Sequence, residues 1–394
     1  MYDHFTTEFV GLPDFSIVSY QQMKPNQHVI DVFPHHINIS CPRCEQSTHT
    51  HEIHHRLLRH RFVPGFGTVF VRVPVIRRQC GTCHRTCSLR YRDIPERGKA
   101  TCAYQQMAVQ MCKGRDLLSV ARELQLPYTT LERWFYKLAP SMLPNPKTSD
   151  TPNIVCLDEF AVRKGHRYAV NLMDHQSGHI WTIGMGRSRL NVQQTLQAWP
   201  FSKSPSVVVT DLAPGMAETV KKVWPHAQIV ADKFHVIQLF GKALEVARKH
   251  SQHRSKQSKG RHDQRLIHVP VEQLKPHEKQ ELQQWLLKDK RLRELHESLQ
   301  QMRCVYDAQT SEEGTKRLHE WLQVALIHEN PVLQRIGKTI AIWRESIESY
   351  FEHRVTNAPI EGTHNKVKVI KRRAYGYRNI ERFLIRIRLE CKSA

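Results

Sequence analysis

A chain of 394 residues is long enough for two or three domains and at least one substantial core. Lys and Arg number 59 against 37 Asp and Glu, a formal net charge of +22 that implies a polyanionic partner, nucleic acid before a membrane surface. No apolar stretch approaches the roughly 20 residues that span a bilayer, and MYDHFTTEFVGL lacks the basic-then-apolar order of a signal peptide, so a cytoplasmic setting without membrane contact is expected.

In the first 95 residues two C-x-x-C knuckles stand out, Cys41 and Cys44 in CPRC and Cys80 and Cys83 in CGTC. Two such turns present four thiolates, the tetrahedral shell that one structural zinc ion prefers, and closing that shell supplies folding energy to a small module. Ten cysteines without a secretory signal are otherwise expected to stay reduced. TVFVRVPVIRRQC alternates as a ribbon strand would, leading into the second knuckle. The basic histidine cluster HTHEIHHRLLRH reads as a solvated or phosphate-facing loop; Cys87, His84 or one of those histidines could replace a zinc ligand, and buried free thiols are the bland alternative.

Residues 96–145 change to helical periodicity in AYQQMAVQMCKGR, DLLSVARELQL and TTLERWFYKLA. Pro127 precedes the third segment, and Thr129 with Glu132 has the spacing of a capping box. The pattern is that of a helix-turn-helix whose third helix offers Thr129, Thr130, Arg133 and Lys137 to DNA and packs Leu131, Trp134 and Leu138 inward. A helical spacer without DNA contact is the alternative. SMLPNPKTSDTPN is a natural linker and places a boundary near 150.

From 151 the pattern predicts a mixed α/β sheet: strands with turns at Lys164-Gly165 and Gln176-Ser177-Gly178, the first ending at Asp158, then a helix near LNVQQTLQAW. The run SVVVTDLAPGM predicts a central strand buried on both faces that ends at Asp211, on the carboxyl edge where open sheets place ligands. QIVADKFHV repeats the arrangement at Asp232. Residues from about 242 to 345 carry no strand signal and read as a helical insertion opening on KHSQHRSKQSKGRHDQR, a solvated or phosphate-contacting loop. In the tail Glu361 precedes Lys366, Lys368, Lys371, Arg372, Arg373 and Arg378, more cation than a solvated face carries.

Asp158, Asp211 and Glu361 suit phosphodiester cleavage. Hard cations such as magnesium take carboxylate oxygens, and two of them about 3.5 to 4 Å apart can both activate an attacking oxygen and stabilise a leaving one. The basic tail would hold the phosphates.

LDEF at 157–160, TDLAPGM at 210–216, ADKFHV at 231–236 and NAPIEGTHNKVKVIKRRAYGYRN at 357–379 resemble the signatures of DDE transposases of bacterial insertion sequences, specifically the ISL-three family. The likeness covers nearly the whole chain. It implies an RNase H-like catalytic domain over 151–394 with a helical insertion before the last acid, preceded by a zinc ribbon and a helix-turn-helix. It also implies a triad of Asp158, Asp211 and Glu361 with two magnesium ions, for which manganese can substitute. The implied partners are double-stranded DNA, as terminal inverted repeats and as target, and a second copy of the chain when two ends are synapsed. Asp232, Lys233 and His235 form a motif that the family shares, expected to support the triad from behind or to contact DNA. Glu159 is set aside because it adjoins Asp158 on the opposite strand face, and Glu345, Glu348 and Glu352 because they lie on an amphipathic helix. A DNA-binding regulator without catalysis, and a nuclease that cuts without joining, are the rival functions.

Overall fold

The structure is a computed structural model that describes residues 10–163, 165, 167–251 and 260–391. The described residues group into two compact units, 10–143 with Ile370–Glu390, and Pro144–Val369 with Cys391. Lys164 of the expected turn and residues 252–259 of the basic run lie outside the described residues.

The first unit opens on a sheet of β1 (Phe15–Lys24), β2 (Gln27–Pro34), β3 (Thr48–Val63), β4 (Gly67–Cys80) and β5 (Thr86–Ser88), ordered β1-β2-β4-β3 with β5 paired to β4. Its core follows from alternation along β4, where Val71 and Val73 join Phe15, Val32 and Leu58. The tight β3–β4 hairpin requires glycine at Gly67, whose φ is +107° and where a Cβ would stand 2.1 Å from the Asn26 carbonyl oxygen. The histidine cluster expected as a loop is part of β3. Its histidines at 49, 51, 54 and 55 are exposed, yet pairing from Thr48↔Cys80 to Val63↔Gly67 along the amphipathic β4 holds the whole segment extended.

Three helices follow: α1 (Cys102–Met111), capped by Thr101; α2 (Leu117–Glu123), capped by Asp116; and α3 (Tyr128–Leu138). Leu131 and Phe135 of α3 are fully buried, and Trp134 and Leu138 pack against them. The expected capping box does not form. α3 starts at Tyr128 with Pro127 as its N-cap, two positions before Thr129, and has no side-chain cap. The Glu132 carboxylate instead takes hydrogen bonds from the Tyr128 hydroxyl at 3.2 Å and from Arg382 at 2.6 Å.

Arg382 belongs to the last helix, here α14 (Ile380–Glu390; the helices between are given below). Although the sequence places this helix in a 151–394 domain, Ile370–Glu390 groups with the first unit. Leu389 and Ile385 join the α1–α3 core. Buried Arg386 donates to the Cys112 and Arg115 carbonyls, pairs with Glu390 and lies 4.6 Å from the Phe135 ring centre. An amphipathic helix must bury its stripe somewhere, and here that stripe meets the apolar side of the helical trio.

The second unit is built on β6 (Ile154–Arg163), β7 (Arg167–Asp174), β8 (Ile180–Met185), β9 (Val207–Thr210) and β10 (Gln228–Ala231), ordered β10-β9-β6-β7-β8. β6, β7 and β8 are antiparallel, while β9 and β10 run parallel to β6. This mixed sheet fits an RNase H-like domain. The turn before β8 is held by Asp174, whose carboxylate accepts from the Gln176 and Ser177 amides. Helices α4 (Arg189–Gln197) and α5 (Pro214–Val223) cover one face, burying Leu157, Val192, Leu196, Val208 and Val220 with Trp181, Trp199 and Trp224.

β6 does not end at Asp158, as the sequence suggests, but continues to Arg163 because β7 pairs with it that far. Only its parallel partner β9 stops, at Thr210, and leaves Asp158 at a rim. Beyond β10 the chain is helical: α6 (Lys233–His250), α7 (Gly260–His268), α8 (Pro276–Lys288), α9 (Lys290–Tyr306), α10 (Ser311–Leu326), α11 (Pro331–Ile342), α12 (Arg344–His353) and α13 (Ala358–Arg373). α6 runs unbroken through position 242, the expected start of the insertion, because its apolar stripe of Val236, Phe240, Leu244 and Ala247 stays buried across Gly241. Among the described residues no helix is long and apolar enough to cross a membrane.

Candidate active site and metal centre

β9 is VVVT with every residue buried, so its backbone is held from both faces and its end is a rigid mount. Leu157 pairs with Thr210 in the parallel ladder, so the next position on each strand, Asp158 and Asp211, falls side by side. Leu157 faces the α4–α5 core; alternation turns Asp158 to the opposite face, where Asn171 is its cross-strand neighbour.

The two carboxyls are strained electrostatically. Burial, and then the charge of Asp211, push Asp158 up to about 7 even though it accepts the Glu159 amide at 2.7 Å. Burial likewise raises Asp211, whose Oδ1 is buried with no hydrogen-bond partner. Two desolvated carboxyls side by side, one with an unsatisfied oxygen, fit a divalent cation, which would relieve both penalties at once.

The third acid arrives on α13. The Asn357 amide, just before this helix, donates to Asp232 Oδ1 at 2.9 Å, and Asp232 Oδ2 is 3.0 Å from His235 Nδ1. Asp232 is 1 % exposed, so a buried carboxylate at the end of β10 ties the start of α13 to the sheet. The Asp232 hydrogen bond raises the His235 pKa. Lys233 lies 5.2 Å from the Tyr306 ring centre and 3.9 Å from Asp307.

Glu361 is half-buried in the first turn of α13. One turn on, His364 Nδ1 is 3.6 Å from Asp158 Oδ2 and Nε2 is 3.4 Å from Asn171 Oδ1. Burial, then Lys368, lower His364 to about 4, which keeps its ring neutral near pH 7. The sequence alone does not single out His364; its i+3 offset from Glu361 is the available signal. Among the described residues only the cysteines gather three or more ligand atoms within 4.8 Å of one another, so the three acids are spread more widely than one compact shell.

Of the tail cations, Lys366, Lys368, Arg372 and Arg378 are exposed and Lys371 is half-buried. Arg373 departs from expectation: its guanidinium holds both Glu390 oxygens, at 2.8 and 2.5 Å. Glu345 and Glu352 are exposed on α12, and Glu348 is engaged by His319 at 2.7 Å, consistent with a surface role for all three. On α3, Thr129, Arg133 and Lys137 are exposed and Thr130 is half-buried.

In the first unit, Cys41, Cys44, Cys80 and Cys83 form one cluster. Sγ–Sγ separations of 3.5, 3.5 and 3.6 Å are far too long for a disulfide and close to the edge, about 3.8 Å, of a tetrahedron with Zn–S of about 2.3 Å. The knuckles are built alike. Cys41 and Cys80 each donate an amide to the carbonyl five residues on, and each accepts, at its own carbonyl, the amide four residues on. Glu45 and His84 hold matching left-handed conformations at φ +58° and +54°. The Cys83 amide, first among several hydrogen bonds, lowers the Cys80 thiol to about 6. Cys87 lies on β5 opposite Arg78, and neither it nor His84 is in the cluster.

The burial of Asp158 sets a pH dependence. An acid that titrates near 4 when unfolded and near 7 when folded binds more protons in the folded state between those values, so stability falls as pH rises through that window. The loss is on the order of a few kcal/mol and is complete above about pH 7. Asp158→Asn is therefore expected to raise the melting temperature of metal-free protein above pH 7 and to leave it unchanged near pH 4. Thermal melts across this range check it; a pH-independent difference would contradict the assignment.

Residues 155–387 match the family model DDE_Tnp_ISL3, described as a transposase. The transposase for insertion sequence element IS1001 of Bordetella parapertussis is 24 % identical over 356 residues, covering 88 % of this chain and 87 % of that protein. The transposase for insertion sequence element IS1557 of Mycobacterium tuberculosis is 25 % identical over 251 residues, 57 % of this chain and 56 % of its own length. A Drosophila P element transposase strand transfer complex superposes with a TM-score of 0.42 at 9 % identity, over 75 % of this chain and 92 % of that one. With the family match spanning more than half its length, the chain belongs to the ISL3-type DDE transposases of insertion sequences.

Proposed function

We propose that the chain binds the terminal inverted repeats of an insertion sequence, cleaves a phosphodiester at each end and joins the freed 3′-hydroxyl to target DNA. What supports the reading most is the β6–β9 register, in which Leu157 pairs with Thr210 one residue before Asp158 and Asp211, with Glu361 on a helix whose preceding Asn357 amide bonds Asp232 at the end of β10. Asp158, Asp211 and Glu361 would hold two magnesium ions, with manganese able to substitute. Bound there, the cations supply Lewis-acid activation of the attacking oxygen and charge stabilisation of the leaving one. The protein's part is positioning: the β6–β9 ladder sets the spacing of the two aspartates, and neutral His364 packs beside Asp158 without adding charge. Water first, and the 3′-hydroxyl second, attack in line, with no covalent enzyme intermediate.

In this reading α2 and α3 are a helix-turn-helix, with Thr129, Thr130, Arg133 and Lys137 toward DNA, and the four cysteines hold one structural zinc ion. Lys366, Lys368, Lys371, Arg372 and Arg378 contact phosphates, whereas Arg373 serves the fold through Glu390. Bringing two ends together requires at least a dimer at synapsis. The test is incubation of labelled element-end duplex with magnesium and target DNA. Cleaved and joined products are expected; cleavage without joining would reduce the reading to a nuclease, and binding without cleavage to a regulator.

Asp232 acts on Glu361 at one remove, through the Asn357 amide. Asp232→Asn is expected to lower cleavage about 10- to 100-fold, as loss of a ligand-orienting partner does, and to raise the magnesium concentration giving half-maximal rate. DNA affinity should not change. An unaltered magnesium response would show that Asp232 serves the fold alone.

A further inference from the structure

The site described so far leaves a second basic concavity unused. It lies within the first unit, a cleft of about 920 Å³ between the loop at 95–99 and helices α1 and α3. Arg97 and Lys99 line one side, Arg133 and Lys137 the other, and no acid is among its lining residues. All four cations are exposed.

The cleft is built, not incidental. Arg56 donates to the Pro95, Glu96 and Gly98 carbonyls, which sets the path of the loop, and Gly98 supplies the left-handed turn at φ +111°. The Arg59 amide bonds the Lys99 carbonyl and its own carbonyl accepts from Thr101, while its guanidinium reaches the Leu124 and Gln125 carbonyls ahead of α3. One β3 residue thus fastens the loop and the α2–α3 turn to the same strand. Glu96, the acid of the loop, pairs with Arg90 at 2.9 Å and does not line the cleft. Among the described residues, Arg97 and Lys99 have no acid partner.

Arg97, Lys99, Arg133 and Lys137, with Arg59 at the back of the cleft, raise a positive potential in one concavity that favours a polyanion. Thr130, Gln105 and Gln106 stand among the charges and supply hydroxyl and amide donors, the set that phosphate oxygens accept from. We infer that the 95–99 loop and α3 form a clamp on the sugar-phosphate backbone of duplex DNA, with Arg97 and Lys99 gripping phosphates beyond the helix. This rests on the DNA-binding reading above and adds to it a sequence-independent grip. The ribbon then contributes to DNA affinity through its linker, and the docking through Arg59 sets the angle at which α3 meets the duplex.

The full-length chain is titrated, by fluorescence anisotropy over a series of potassium chloride concentrations, against a labelled duplex of random sequence and one carrying an element end. Arg97→Ala/Lys99→Ala is expected to weaken both complexes by a similar factor, about tenfold or more at moderate salt. It should also reduce the slope of log affinity against log salt by about 2, one for each phosphate that the variant leaves unneutralised. Lys24→Ala, an exposed lysine of β1, should change neither. Both side chains of the double variant are exposed, so its melting temperature should match the wild type. A double variant with wild-type affinity and salt slope overturns the clamp while leaving the function standing. A wild type that binds neither duplex overturns the functional reading and the clamp with it.

Discussion

Asp211→Asn is expected to leave DNA binding intact and to lower both cleavage and joining on the order of a thousandfold or more. The substitution keeps the size and shape of the side chain and removes one negative charge from a group whose Oδ1 is buried and unpartnered. The proposed DNA contacts are cations elsewhere in the chain, so affinity gives a control that a folding defect would fail. Asp158 supplies a second control, because losing the Asp211 charge removes one of the causes that hold Asp158 up. Metal-free Asp211→Asn should therefore melt no lower than the wild type near neutral pH. If the variant binds and still cuts, Asp211 is a turn residue before α5 and the reaction is assigned to the wrong rim. Loss of cutting together with loss of binding and a lower melting temperature would report damage to the sheet.

Removal of zinc is expected to unfold the knuckle end of the first unit's sheet and to leave the second unit folded. Structural zinc is worth about 10 to 16 kcal/mol in small zinc modules, as much as the whole stability of a typical domain. The knuckles close the far end of the β3–β4 hairpin, where Thr48 pairs with Cys80 and strands 14 and 16 residues long have left their apolar core behind. The core residues Leu58, Val71 and Val73 lie toward the other end of the hairpin, and besides the cysteines the knuckle end is held mainly by polar contacts: Arg78 donates to Thr48, Thr50 and Asn38, and the three-residue β5 pairs with β4. The second unit has its own core of tryptophans and branched side chains around Val208. Hydrogen exchange with and without chelator checks this. Rapid exchange should appear around residues 41–50 and 77–88 alone, with about one zinc per chain released. Four readily titrated free thiols in the untreated protein, or protection that chelation does not change, would remove the zinc assignment.

Several features of the site are legible in the sequence because they are local. A run of valines broken by Asp-Leu-Ala-Pro-Gly states both the burial of β9 and the place of Asp211. Two C-x-x-C turns carry their own geometry, and the structure repeats it hydrogen bond for hydrogen bond. The end of β6 is not legible, because strand length depends on the partner and β7 pairs past the point where β9 stops. The capping box at Thr129 fails because the helix already begins at Tyr128, which puts Thr129 inside it, and Glu132 is engaged by Tyr128 and by Arg382, 250 positions away. Asn171, His364 and the Asp232–Asn357 link are hidden for the same reason: each becomes meaningful only when a distant segment is laid against it.

The sequence alone determined most of the helices, the buried strand that ends before Asp211 and the set of four cysteines. These depend on residue type and short-range spacing, where backbone geometry permits few alternatives. Which surfaces meet was decided by the folded chain. Periodicity shows that α14 has an apolar stripe but not that α1–α3 will cover it. Alternation shows that the histidine segment could be extended, but only β4 beside it supplies the hydrogen bonds that hold it so. Burial and desolvation are likewise properties of the assembled core, so the carboxyl of Asp158 acquires its shifted titration, and with it the fit for a cation, only when the sheet and α13 close around it.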